Sequence, residues 1–283
     1  MRMKKILLLL ILIGVFGVCS AQTFDNKKKI DFYSPSEGIY IVDINTKTCK
    51  DCLKPYVSDS LETVESVAEK TKSTVAINTG FFDPKNTRTT SYIVKNGKVE
   101  ADPNLNSDLM NNPDIKAYLP DVLNRSELRI EDCIFNTGYK TKIYEIARHN
   151  NLPQMKCSIV HSIQAGPALV PEFKLYDEAF VAEKDGKIVK ESAGALGKYA
   201  RSAIGIKGEH ILLVAVSNEA PMTLQELADY MKSLNVDQAM AFDGGSSTSL
   251  FVNIADKPKF ILTSAKDNAA RKVKSVLLVK IQE

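Results

Sequence analysis

The run Phe242-Asp243-Gly244-Gly245-Ser246-Ser247-Thr248-Ser249 sets a carboxylate after the apolar stretch Ala239-Met240-Ala241-Phe242 and follows it with two glycines and four hydroxyls. Gly244 and Gly245 free the backbone to take positive φ and turn N–H groups toward an anion. The hydroxyls of Ser246, Ser247 and Thr248 add donors at the same place. The chemistry this suits is binding or cleavage of something negatively charged beside Asp243. An Asp-Gly-Gly run also makes ordinary turns, so this segment does not decide by itself.

Other segments offer partners. In Asn78-Thr79-Gly80-Phe81-Phe82-Asp83-Pro84 an amide, a glycine and two aromatics follow the apolar Val75-Ala76-Ile77. This is either a turn whose phenylalanines cap the core, or a cleft wall with Asn78 and Gly80 inside and Phe81 stacked on a sugar. Arg201-Ser202-Ala203-Ile204-Gly205 opens a strand with an arginine, commonly an exposed one, whose planar fork also fits a phosphate bidentately. Gln164-Ala165-Gly166-Pro167-Ala168-Leu169 is a turn between apolar stretches, with Gly166 a candidate contact. His149 and His210 read as surface residues, and His161 as a satisfied core histidine. No Gly-x-Ser-x-Gly elbow or Walker-type loop is present, which argues against serine hydrolases and nucleotidases.

These side chains need elements to hold them. Leu224, Leu227, Ala228, Met231 and Leu234 recur at helical spacing, and Thr223 with Glu226 forms a capping box, so a helix is expected over 224–234. Weaker patterns predict a helix from Leu61 to Lys70 capped by Ser60, and a third over Thr141 to Arg148. Strands are expected at Ile30 to Tyr33, Gly38 to Ile44 and, closing the fold, Ser275 to Ile281. Asn96-Gly97, Asp185-Gly186 and Lys207-Gly208-Glu209 mark three hairpins. The Asn-rich stretch 101–157, with Pro103, Pro113 and Pro120, is expected as an irregular insertion or lid. The class implied is α+β, a mixed, mainly antiparallel β-sheet core with a few packed helices and a polar cleft at strand ends.

Two units share one order. The helix near Leu61 leads to Val75-Ala76-Ile77 and then Asn78, and the helix at Leu224 leads to Ala239–Phe242 and then Asp243. A polar residue where a buried strand stops costs desolvation unless it is paired or used. Two such ends side by side would make the cleft; chance is the other explanation of the echo.

The 283 residues are 44% hydrophobic and 25% charged, enough for one substantial core, and a single domain is expected over 22–283. The net charge of +3 arises from 37 basic and 34 acidic residues, with no basic run interleaved with aromatics, so no nucleic-acid partner is expected. Residues 1–21 read as an export signal: a charged start, an apolar Ile6 to Val18, and Cys19-Ser20-Ala21 before the cut. That apolar stretch is shorter than the roughly 20 residues of a membrane span. Secretion or a periplasmic location is expected. A lipid anchor on Cys19 is the less favoured alternative, because Val18 precedes it. Export leaves Cys49, Cys52, Cys133 and Cys157, with three connectivities open and one or two disulfides expected. No Cys and His cluster has zinc spacing, and no metal or cofactor is expected.

Taken in order, Asn78-Thr79-Gly80-Phe81-Phe82, Ala165-Gly166-Pro167-Ala168-Leu169, Arg201-Ser202-Ala203-Ile204-Gly205 and Asp243-Gly244-Gly245-Ser246-Ser247-Thr248 resemble the phosphodiester glycosidase family over about residues 70 to 280. The resemblance implies an exported bacterial member with an α+β fold and a polar cleft. It also implies hydrolysis of a glycosyl-1-phosphodiester of the α-N-acetylglucosamine-1-phosphate type in an envelope or extracellular glycan. Asp243 would activate water or stabilise the sugar cation, Arg201 would hold the phosphate, and Asn78 would hold a sugar hydroxyl or acetamido group. Gly80, Phe81, Gly166 and residues 244–248 would line the substrate. Thr79 stands where many members have a second glycine, and Ser217-Asn218-Glu219 replaces an Asp-Gly-Arg-like turn; both bear on substrate identity more than on fold. The rival reading is a non-catalytic envelope protein that binds phosphosugars in the same cleft, and a metal-assisted phosphodiesterase would have only Asp243 and Asp83 as ligands.

Overall fold

The computed structural model describes residues 29–255, 257–265 and 269–281. The expected export signal lies outside them. Three sheets build the core, and every pairing among the described strands is antiparallel. The first has six strands in the order Ile30–Ser36, Ile39–Asn45, His210–Val216, Arg201–Lys207, Gln238–Ala241, Ala168–Val170. The second has five: Phe260–Thr263, Ser249–Val252, Val75–Asn78, Val273–Val279, Leu53–Glu62. The third, also of five, runs Lys98–Ala101, Ile93–Lys95, Cys157–Gln164, Ser126–Ile134, Lys140–Arg148. A separate hairpin pairs Val181–Lys184 with Lys187–Glu191.

Alternation along the strands explains the layers. Val42, Ile44, Ile211 and Leu213 of the first sheet face Val75, Ile77, Leu250 and Leu277 of the second, and Leu128 and Ile163 of the third close the same cluster. The intervening residues Ile39, Ile41, Leu212 and Val214 turn the other way, onto Leu227, Ala228 and Met231 of the helix Leu224–Ser233. A strand apolar on both faces reads as an unbroken run, as Ile211 to Val216 does. The helix Val64–Thr71 covers the outer face of the second sheet in the same way, through Val64, Val67 and Ala68 on Ala76, Val276 and Leu278. Among the described residues no helix is long and apolar enough to cross a membrane.

The helix at 224 has its capping box, Thr223 Oγ accepting from the Glu226 N–H at 3.1 Å. The earlier helix begins at Val64 with Thr63 as its cap; Ser60 and Leu61 belong to the strand Leu53–Glu62. The expected helix over Thr141 to Arg148 is instead the strand Lys140–Arg148, paired along its whole length with Ser126–Ile134. Its isoleucines and Thr141 are β-branched, and a ready partner strand decides between the two periodicities. The expected irregular insertion therefore shrinks to about 102–124, where the helices are short. The cysteines pair Cys49 with Cys52 and Cys133 with Cys157, the latter facing each other on adjacent strands. His161 is buried, its Nδ1 accepting from the Asn96 N–H. The other two histidines are not loose surface residues: His149 lies 2.8 Å from Glu127 and His210 lies 2.7 Å from the buried Asp43.

Candidate active site

Strands from two different sheets stop at the same point. Where Gln238–Ala241 and Val75–Asn78 end, the Asp243 N–H donates to the Thr79 carbonyl (2.8 Å) and the Asn78 amide donates to the Asp243 carbonyl (2.6 Å). The Asn78 oxygen accepts from the Ser202 hydroxyl (2.7 Å) and the Ser249 N–H (3.0 Å). Asn78 is fully buried. The expectation that it opens onto a cleft is corrected: it clamps four chain segments together beneath Asp243.

Asp243 itself is half-buried. Burial pushes its carboxyl up to about 6, against the Ser247 hydroxyl, the Arg271 charge, the Gly244 N–H and the Arg201 charge, in that order of strength. None of the groups acting most strongly on it is acidic. The carboxylate sits in a cationic, hydrogen-bonding surround and is still mostly ionised at neutral pH.

The glycine turn forms, with Gly245 at φ +60°. Four of its N–H groups are already engaged: Gly245 donates to Ala200 (2.8 Å), Ser247 to Gly244 (3.2 Å) and Thr248 to Gly245 (3.1 Å), while the Gly244 N–H serves Asp243. Of the N–H groups expected to form an anion nest here, that of Gly244 turns to Asp243's own carboxylate, and the side chains of Ser247 and Thr248 are buried. Of this run, Ser246 is the hydroxyl that stays half-buried, accepting from Arg271 Nη1 at 2.7 Å. Gly244 is needed for close approach, since a Cβ there would lie 3.1 Å from the Ala200 carbonyl and 3.4 Å from Arg201 Cδ.

Arg201 converges on Asp243 as expected, but its fork points into the protein. It is 3% exposed, and it donates through Nε to Met222 (2.8 Å), Nη2 to Gly194 (2.8 Å) and Gly197 (2.7 Å), and Nη1 to Ala193 (3.4 Å). Burial pulls its guanidinium down to about 10, which leaves it charged at neutral pH. The half-exposed Tyr199 ring lies 5.5 Å from it.

The remaining expected contacts form the frame. The Gly80 N–H donates to Ser275 Oγ (3.0 Å). Phe81 is half-buried against Phe180 at 5.6 Å. Gly166 donates to the Ala241 carbonyl (3.0 Å), tying its turn to the last residue of the strand that leads to Asp243. Sequence reasoning missed Arg271, which sits 5.5 Å over the Phe82 ring and reaches Ser246. Its neighbours Ala270-Arg271-Lys272-Val273-Lys274 give it no local mark. Among the described residues, the one group of His, Cys, Asp and Glu close enough to share a metal ion is Glu131, Cys133 and Cys157, whose sulfurs are bonded to each other.

Residues 71–280 match the family model described as phosphodiester glycosidase. No curated protein matches the chain by sequence. Among solved structures, the fold is similar to the catalytic domain of zebrafish N-acetylglucosamine-1-phosphodiester alpha-N-acetylglucosaminidase, auto-inhibited by its pro-peptide. That match has TM-score 0.60 and 17% identity, and covers 89% of this chain and 82% of that one. It is also similar to a hypothetical protein from Synechocystis (TM-score 0.56, 17% identity, 89% of this chain), of which it spans 61%. A protein from Burkholderia pseudomallei described as exported matches at TM-score 0.58 and 11% identity, over 86% of this chain and 73% of that one. At these identities the structural matches speak for the fold.

Proposed function

As this chain belongs to the phosphodiester glycosidase family, a family of hydrolases, we propose that it acts outside the cytoplasm and releases the sugar from a glycosyl-1-phosphodiester of the α-N-acetylglucosamine type in an envelope or extracellular glycan. One observation carries the reading: a carboxylate raised to about 6, set where two sheets meet and acted on by two arginine charges. The zebrafish relative, named for the N-acetylglucosamine it releases, supports the choice of sugar. Two disulfides support an oxidising compartment, as does the expected export signal.

The bond to be broken joins the sugar's C1 to a phosphate oxygen. The leaving phosphate monoester is a weak base, so the general acid of an ordinary glycosidase pair brings little. What the reaction needs is a negative group near the positive C1 and positive charge near the departing phosphate. Asp243 supplies the first, either by steadying C1 or by taking a proton from the attacking water. Asn78 contributes by fixing Asp243 in place rather than by touching the sugar.

The test is release of free N-acetylglucosamine from an α-GlcNAc-1-phospho-methyl diester by the purified chain. Asp243→Asn is expected to lower turnover by about 10²-fold or more. Release unaltered by this substitution removes Asp243 from the reaction. Tight binding of the diester with no sugar released would favour a phosphosugar-binding protein instead.

A further inference from the structure

We propose that Arg271, rather than Arg201, grips the phosphoryl oxygens, so that the phosphate lies on the Arg271–Ser246 side of Asp243. The inference rests on the phosphodiester reading above and identifies the residue that makes the site select an anionic leaving group.

Donor accounting separates the two arginines. A guanidinium carries five N–H donors in one plane, and a bidentate grip on phosphate takes two of them on one edge. Arg201 spends one on Met222, two on Gly194 and Gly197 and one on Ala193. A single Nη1 hydrogen is left, which cannot make a two-point contact. Its fork holds the 193–197 loop to the start of its own strand, and Arg201 is a positioning residue.

Arg271 is arranged differently. It is half-buried, and among the described residues its one hydrogen bond is from Nη1 to Ser246 Oγ at 2.7 Å. Four donors remain. The guanidinium is steadied by the Phe82 ring at 5.5 Å, a cation–π contact that uses no N–H. Because Ser246 Oγ accepts from Arg271, its own hydrogen is left to donate beside the guanidinium. Two side chains thus offer donors together, while the peptide N–H groups of Gly245, Ser247 and Thr248 are taken by backbone carbonyls and that of Gly244 by Asp243. Of the two arginine charges, Arg271 also acts more strongly on the Asp243 carboxylate.

The chemistry gives this placement a purpose. Water adds its oxygen to C1, its proton passes to Asp243 or solvent, and the electron pair of the C1–O bond departs on the phosphate. The diester carries one negative charge, and the departing monoester gains a second as the bond breaks. Arg271 meets that growing charge, so its effect is larger in the transition state than in the ground state.

The experiment compares the wild-type chain with Arg271→Gln and Arg271→Lys, each checked by thermal melting. Titration calorimetry measures binding of α-GlcNAc 1-phosphate and, separately, of N-acetylglucosamine. Arg271→Gln is expected to weaken the phosphosugar by about 10²-fold, the loss of two charge-assisted hydrogen bonds. Arg271→Lys, a point charge without the fork, should fall between. Equal binding of the phosphosugar by wild type and Arg271→Gln overturns the proposal, as does failure of the wild type to bind it at millimolar concentration. Diester hydrolysis by all three chains keeps the two readings apart. Hydrolysis that proceeds as fast in Arg271→Gln sinks this assignment and leaves the hydrolase standing. Arg271-dependent binding with no hydrolysis by the wild type sinks the hydrolase and leaves this assignment standing.

Discussion

Burying a carboxylate raises the free energy of its charged form, and Asp243 bears that cost in the folded protein. Its folded value, about 6, lies above the ordinary 3.8. A group raised in this way favours the fold fully below pH 3.8 and loses that contribution as pH rises through about 6. At neutral pH the ionised group then costs up to about 3 kcal/mol of stability, at ~1.4 kcal/mol per unit. Asp243→Asn keeps the shape and removes the charge. It is expected to raise the urea midpoint at neutral pH and to change it little in acid; a lowered midpoint at neutral pH contradicts this account. The same group sets the pH profile of the reaction. The specificity constant kcat/KM for the diester should be level above neutrality and fall about tenfold per pH unit well below 6. A profile that stays flat to pH ~4 would separate the carboxylate from the chemistry. Asp243 is legible in the sequence because a charged residue followed by two glycines at the end of an apolar run needs a reason. Arg271 is not, because a basic residue among lysines is the ordinary pattern of an exposed flank, and only the fold carries it to Ser246.

At the scale of elements, legibility follows how local the deciding interaction is. The helix Leu224–Ser233 is written in its own cap and its own apolar stripe, so the sequence suffices. The strand Lys140–Arg148 is decided by Ser126–Ile134 beside it: Ile143 and Ile146, three apart, match a helix, whereas in the strand Tyr144 and Ile146 share the core-facing side. The turn at Gly166 shows an intermediate case: a glycine before proline is visible, but the reason for it is not. Glu178, fully buried, accepts from the Ser126 N–H (3.0 Å), the Ser126 hydroxyl (2.7 Å) and the Ala168 N–H (3.0 Å), and so joins the third sheet to the first. A Cβ at Gly166 would lie 2.2 Å from a Glu178 carboxylate oxygen, on a backbone at φ +93°. Gly166→Ala must therefore move Glu178 and strand buried N–H groups. The expected loss is about 2–5 kcal/mol, read as a lowered denaturant midpoint with activity falling alongside it. A midpoint within ~0.5 kcal/mol of wild type would mean that the turn tolerates the methyl group and that Glu178 is not fixed.

Over the whole molecule, the site exists because two sheets end together, and the third sheet has to stay docked beside them. Its inner strands Ser126–Ile134 and Cys157–Gln164 are held by their backbone ladder and by Cys133–Cys157, which closes a separation of 24 residues; Cys49–Cys52 closes one of 3. A cross-link removes more freedom from the unfolded chain the longer the loop it closes. The chain-entropy relation gives about 3 kcal/mol for the longer loop and about 2 for the shorter. Cys49 and Cys52 are both buried in the central cluster, whereas Cys157 is partly exposed, so alanine pairs lose more buried sulfur at the short loop. Burial and loop length thus pull in opposite directions, and the comparison has to separate them. Reduction with the sulfurs left in place does so. The Cys49→Ala, Cys52→Ala chain, which retains the long loop, is expected to lose about 3 kcal/mol when treated with a reductant, and the Cys133→Ala, Cys157→Ala chain about 2. A larger loss in the chain that retains only Cys49–Cys52 would mean that the short bridge holds the fold through its place in the core, and that loop closure is not how this protein uses its disulfides.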